Sequence, residues 1–267
     1  MAVCTFRRIE KKYLLNRDQY DRFMTEVQDI MQIDEYGLST ICNIYYDTEH
    51  FDTISRSMEK PKFKEKLRLR CYGVPENDQS PAFVELKKKY KGIVYKRREE
   101  MALGDAVWYL ESGEYDGPHS QILREIDYFR AFYNPVPQIF IAYDRIAMYK
   151  TDDRDFRVTI DENIRTRNYD LDLKAGSHGR CILPEGYYIM EIKIPSAMPL
   201  WMAGILRDLK IRPVSFSKVG EAYRQKTALN QAIAAAVPQR CVLRPQIPPI
   251  MQPQTEKQKS RVFAFTV

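Results

Sequence analysis

The sequence holds little of the chemistry that thiol and zinc enzymes use. Its five cysteines, Cys4, Cys42, Cys71, Cys181 and Cys241, contain no Cys-x-x-Cys pair and are odd in number. That argues against a disulfide framework and for free thiols in a reducing compartment. The three histidines, His50, His119 and His178, lie far apart and none has zinc-ligand spacing. Neither GxxxxGK[ST] nor GxGxxG occurs, which excludes a P-loop and a Rossmann turn. No uncharged run approaches a membrane span; the longest, Thr227–Gln239 among them, are too short. An apolar signal core is also missing, since Arg7, Arg8, Glu10, Lys11 and Lys12 interrupt it at once. No internal repeat is visible, and a soluble, cytoplasmic protein is expected.

What the chain does have is charge in rows. Its 267 residues are 44% hydrophobic and 29% charged, enough for a core and not a disordered composition. Net charge is +6, a modest excess whose clustering says more than its size. In Lys64–Gly73, KEKLRLRCYG, a strand would put Lys64, Lys66, Arg68 and Arg70 on one face and Leu67, Leu69 and Cys71 on the other. Alternation of this kind in one strand is the usual mark of a half-exposed sheet. Here it recurs.

In chain order, strands are expected at Val3–Leu15, Thr40–Thr48, Lys64–Gly73, Ala82–Tyr90, Ile93–Leu103, Gln138–Tyr149, Phe156–Asp161 and Tyr187–Ile194. Lys91-Gly92 makes a hairpin of the fourth and fifth. Apolar residues at helical spacing predict helices at Asp18–Gln32, Asp105–Glu111, Ser120–Tyr133 and Leu200–Leu209, with a last one over Ser217–Lys226 capped by Ser217. Glu49–Lys62 reads as a loop or short helix and Asn163–Gly179 as a loop. Residues 1–226 form the folded domain and 227–267 an Ala/Pro-rich tail, linker-like or loosely docked. The class is α+β: eight mostly antiparallel strands in a closed barrel or two curved sheets, with helices packed on the outside.

The polar strand faces collect Arg8, Lys12, Lys66, Arg68, Arg70, Lys87, Lys96, Arg98, Arg145, Arg157 and Lys193, with Glu10, Glu85, Asp161 and Glu191 among them. Helices on the outside would turn these faces inward. A dry interior of that kind is too costly, since each unpaired buried ion costs several kcal/mol. A wet tunnel holding a multiply charged anion is tolerable. Arginine suits bidentate phosphate contacts, and a few carboxylates among the cations could hold a divalent metal. A nucleic-acid surface is disfavoured, because the aromatics do not interleave with the basic residues on one face as a stacking platform requires.

The set Arg8-x-Glu10-x-Lys12, Lys66-x-Arg68-x-Arg70, Glu85-x-Lys87, Arg145, Arg157, Glu191-x-Lys193 and Ser217-Lys218 resembles the triphosphate tunnel metalloenzymes. With IYYDT at Ile44–Thr48, KLRLRCYG at Lys66–Gly73 and SFSK at Ser215–Lys218, it resembles more closely the VTC-type polyphosphate polymerase domain, from about Phe6 to Tyr223. The resemblance implies an eight-stranded antiparallel tunnel barrel that uses ATP, with Mn²⁺ or Mg²⁺, to extend inorganic polyphosphate. Carried over by position, it implies that Arg68, Arg70, Lys87, Arg145, Arg157 and Lys193 grip phosphates. Lys12, Lys66, Lys96, Arg98 and Lys218 would complete the lining, Glu191 would bind metal with Glu10 as a weaker contact, and Glu85 would orient Lys87 or Arg98. The triphosphatase branch typically opens Glu-x-Glu-x-Lys; Arg8 in the first Glu position favours the polymerase branch. The alternatives are a triphosphate hydrolase and a module that binds polyphosphate or inositol pyrophosphate without turnover. A membrane partner is compatible with either.

Overall fold

The computed structural model describes residues 9–91, 93–194 and 197–236. Arg8, assigned above to the polar face, lies outside them. In order the elements are β1 (Ile9–Leu15), α1 (Arg17–Val27), β2 (Met31–Asp47), α2 (Asp52–Met58), β3 (Phe63–Tyr72), β4 (Pro81–Tyr90) and β5 (Ile93–Ala102). There follow α3 (Leu103–Ser112), α4 (Gln121–Tyr133), β6 (Val136–Lys150), β7 (Asp153–Arg167), β8 (Arg180–Cys181), β9 (Tyr188–Ile194), α5 (Leu200–Asp208) and α6 (Lys218–Ala236). The strands form one antiparallel sheet ordered β1-β9-β7-β6-β2-β3-β4-β5, with short β8 beside β7.

Local chemistry sets many of the boundaries. Asn16 and Gln19 form a reciprocal capping box that starts α1. Ser120 accepts the Leu123 amide to start α4, and Asn134 in the left-handed region ends it. Gly113, at φ 90°, stops α3 where a Cβ would meet the Arg130 guanidinium.

Two apolar layers cover the convex face. Leu67, Leu69, Val84 and Leu86 pack under α3 and α4 with Tyr109, Ile126 and Phe129. Tyr13, Val158, Met190 and Ile192 pack under α1 and α5 with Phe23, Met202 and Leu206. Full burial of each such aliphatic chain contributes roughly 1.5–3 kcal/mol.

The structure corrects the expected barrel in two respects. The sheet is strongly curled but not closed by hydrogen bonds among the described residues: β1 and β5 are its two ends. The outer edge of β1 is occupied instead by the segment before α6, where Val214 donates its amide to the Lys12 carbonyl at 2.8 Å and Tyr13 bridges Pro213. Nor are all helices outside. α2 and α6 lie against the concave face at one end, because the inward positions there are apolar: Ile41, Ile139, Ile141 and Ile189 pack with Ile54, Val219 and Ala222. α6 also runs ten residues beyond Lys226, through an alanine-rich stretch of high helix propensity. β2 extends back to Met31 along β6, and β7 continues to Arg167 where a loop was expected from Asn163.

Candidate functional site

Alternation along each strand delivers the charged residues to the concave face, and the curl brings distant strands together. Lys87 of β4 reaches Glu10 of β1 at 3.9 Å, and Lys66 donates to the Ser217 hydroxyl at 3.5 Å. Side chains therefore span a gap that the backbone does not close.

One wall is built by β2 to β5. Arg68 donates Nε to Glu85 Oε2 at 2.7 Å and Nη1 to the Tyr45 hydroxyl at 3.1 Å. Lys96 meets the other oxygen of Glu85 at 2.8 Å. Glu85, 2% exposed, thus pairs with Arg68 and Lys96 rather than with Lys87 or Arg98. Arg68 is its register partner across β3, and Lys96 lies two residues from its β5 register partner Arg98, whose guanidinium turns to the Phe83 ring instead. Burial pushes its carboxyl up, but Arg68, Arg70 and Lys96 outweigh that and hold it far below the usual range. Arg70 is buried and its hydrogen bonds go to neutral groups, Nε to Asn43 Oδ1 at 2.9 Å and Nη2 to the Tyr143 hydroxyl at 3.1 Å, with Glu85 Oε2 farther off at 3.9 Å. Burial lowers the Lys66 and Lys96 ammoniums to about 8. The Tyr45 phenol, pushed up by burial, is pulled down to about 8 by Arg68, Arg70 and Lys66.

The opposite wall comes from β1, β6, β7, β9 and the first residue of α6. Arg145 grips Asp161 with Nε at 2.6 Å and Nη2 at 2.8 Å. Lys218 approaches the same carboxylate at 2.5 Å and Glu191 at 3.7 Å. Lys12 donates to Glu191 Oε1 at 2.8 Å and lies 3.7 Å from Glu10. Burial raises the Glu191 and Asp161 carboxyls, but the surrounding cations, Lys218 foremost, keep both ionised. Lys193 belongs to this wall, its ammonium lowered by burial and then by Arg145.

Eleven of the thirteen residues singled out from the sequence meet on these two walls. Arg157 and Arg98 do not join the ion-pair clusters. Arg157 is exposed and turns back to donate to the Arg154 carbonyl at 3.0 Å, while Arg98 lies 4.4 Å over the Phe83 ring. The structure adds residues outside that set. Asp161 is fully buried at the centre, Asn43 and Tyr143 anchor Arg70, and the Thr159 hydroxyl is buried with no hydrogen-bond partner. Alternation already puts Asp161 on the face of Arg157 and Tyr143 on that of Arg145; what it does not give is the contacts they make there. Tyr45, Tyr72, Phe83 and Tyr143 also contradict the sequence reading that aromatics stay off the basic face: Arg68 and Arg70 lie over Tyr45 and Tyr72, and Lys218 over Tyr143.

Among the described residues no three His, Cys, Asp or Glu side chains cluster as a metal site. A hard cation bound here would depend on one or two carboxylates plus ligand oxygens. The chemistry fits that minimal arrangement. Both ammonium contacts to Glu191 fall on Oε1, and Thr159, with its unpartnered hydroxyl, is its register partner on β7.

No described helix is long and apolar enough to cross a membrane. Among solved structures, a "putative adenylate cyclase" from Bacillus halodurans superposes with a TM-score of 0.50 at 16% identity, covering 79% of this chain and 93% of the other. A Pyrococcus horikoshii protein aligns at 0.42 and 13%, covering 82% and 99%. A chain of the Schizosaccharomyces pombe Mediator head module aligns at 0.40 and 10%, covering 86% and 95%. No curated protein sequence matches. The first of these likenesses bears on the fold alone. The VTC domain model matches residues 7–226, most of the chain and both walls of the site, so this chain belongs to the VTC domain family.

Proposed function

We propose that the two walls hold a nucleoside triphosphate and a growing inorganic polyphosphate chain, and that the protein transfers the γ-phosphate of ATP to that chain. The observation that carries this reading is the excess of converging cations. On one wall Lys66, Arg68, Arg70, Lys87 and Lys96 surround Glu85, and Glu10 reaches only Lys87 from across the gap, so an anion of several charges is the natural counterion.

In this reading Arg68, Arg70, Lys87, Arg145 and Lys193 grip phosphates, with Arg157 at the rim. Lys12, Lys66, Lys96, Arg98 and Lys218 set the field around them. A terminal oxygen of the polyphosphate chain attacks the γ-phosphorus in line, and the bond to the β–γ bridging oxygen breaks, releasing ADP. The guanidiniums reduce repulsion between the two polyanions and stabilise charge in the transition state. Glu191 would hold Mn²⁺ or Mg²⁺, assisted by Thr159 and, at the rim, by Glu10. When bound, such an ion supplies further neutralisation of phosphate oxygens. Glu85 keeps Arg68 and Lys96 in place.

A binding module without turnover is the second reading. Its support is that Glu191 is already contacted by both Lys12 and Lys218. Purified protein incubated with ATP and Mn²⁺ is expected to yield ADP and an acid-labile phosphate polymer. Orthophosphate as the only phosphate product would make the protein a hydrolase. Tripolyphosphate binding with no ADP release would make it a sensor.

A further inference from the structure

Beyond Arg70 the concave face changes character within one strand step. β3 places Arg68, Arg70 and Tyr72 in a row on the same face, so Tyr72 stands about 7 Å along the strand from Arg70. The Arg70 guanidinium carbon lies 5.9 Å from the Tyr72 ring centre. Phe83, opposite Arg70 in β4, meets Tyr72 edge-on at 5.4 Å and 79°. The Arg98 guanidinium lies 4.4 Å above Phe83 from the edge strand β5. Phe83 is buried at 8% while Tyr72 is 52% exposed, so the ledge has a covered base and an open upper surface. Packing accounts for Phe83 but not for the open tyrosine ring at its edge, nor for the Arg98 guanidinium above it, which forms no ion pair among the described residues.

We propose that the ledge of Tyr72, Phe83 and Arg98 receives the nucleobase of a nucleoside triphosphate whose phosphates lie on Arg68 and Arg70; this rests on the phosphate-binding reading above. Every base has a π face that stacks on an aromatic ring or a guanidinium plane, and such stacking needs no hydrogen-bond code. The step from Arg70 to Tyr72 leaves room for a ribose between phosphate and base. Purines, with the larger face, are favoured over pyrimidines, and adenine and guanine are discriminated weakly. A polynucleotide fits less well. It requires successive aromatic platforms, whereas here one ledge ends at the edge strand and the cationic row leads away from it toward Lys64.

The test compares two ligands on one protein by titration calorimetry: ATP, and inorganic tripolyphosphate, which has no base. Tyr72→Ala is expected to weaken ATP about tenfold and to leave tripolyphosphate unchanged, while Tyr72→Phe keeps ATP affinity. Unchanged tripolyphosphate affinity also reports an intact fold in the variant. ATP binding insensitive to Tyr72→Ala, or equal losses for both ligands, overturns the base subsite and leaves the phosphate reading standing. Failure of the wild-type protein to bind tripolyphosphate overturns the phosphate reading and this one with it. A short oligodeoxyadenylate without a triphosphate that binds as tightly as ATP also overturns the proposal, in favour of a single-strand surface.

Discussion

The two walls of the concave face are built from the same kinds of residue but are balanced differently. The β2–β5 wall supplies five cations, Lys66, Arg68, Arg70, Lys87 and Lys96, around one carboxylate of its own, Glu85, with Glu10 of the other wall 3.9 Å from Lys87. On the other wall Lys12, Arg145, Lys193 and Lys218 face Glu10, Asp161 and Glu191. The difference is clearest at one arginine on each wall. Arg145 is gripped by a carboxylate at two points, whereas Arg70 is hydrogen-bonded by an amide oxygen and a phenol and has Glu85, shared with Arg68 and Lys96, no nearer than 3.9 Å. A neutral acceptor fixes a guanidinium in place without cancelling its charge, so the first wall keeps its field for a ligand. The second wall spends most of its charge internally, and through Lys218 it ties α6 to β7 and β9.

If that contrast holds, the walls respond differently to mutation. Asp161→Asn leaves Arg145 and Lys218 buried without their common anion, and breaking a buried pair from one side costs about 3–5 kcal/mol. Urea unfolding should show that loss; a change below about 1 kcal/mol would mean the second wall is not a structural unit. Arg70→Ala on the first wall should cost less stability and more binding. Losing a charge-assisted contact of about 1.5–3 kcal/mol corresponds to roughly a 10- to 100-fold drop in tripolyphosphate affinity. Unaltered affinity would remove Arg70 from the site.

The two walls were not equally legible in the sequence. Period-two alternation separates Lys66, Arg68 and Arg70 from Leu67, Leu69 and Cys71 without any knowledge of the fold, and the structure keeps that division. Alternation gives the face of a residue but not its height along the strand. That is why Arg157, on the correct face, ends exposed at the rim. Neutral partners such as Asn43 and Tyr143 carry no charge signal and look like ordinary strand residues. Asp161 has a charge, but its weight comes from Arg145 and Lys218 converging on it, and Lys218 arrives from 57 residues away. Closure was beyond reach for a related reason. Whether β1 pairs with β5 depends on what else competes for its edge, and the competitor, Pro213–Val214, is not a strand in any sequence pattern.

The smallest expected effect is also the most selective test of the contrast. Burial brings Lys66 and Lys96, both on the first wall, to about 8, while Lys218 on the second, lowered by burial, is raised overall by Asp161 and Glu191. A bound polyanion favours the ammonium forms, so binding takes up protons near pH 8 and tripolyphosphate affinity should fall about tenfold between pH 7 and pH 9. The free protein should respond in the opposite sense. A lysine whose folded pKa lies below its unfolded value binds fewer protons when folded, so between about pH 8 and 10.5 these two groups make stability rise with pH. General alkaline unfolding would weaken binding and stability together, and opposite slopes separate the two causes. Lys66→Met should flatten the binding profile. A profile already flat in the wild type would place the titrating charge outside the first wall and erase the distinction between the two.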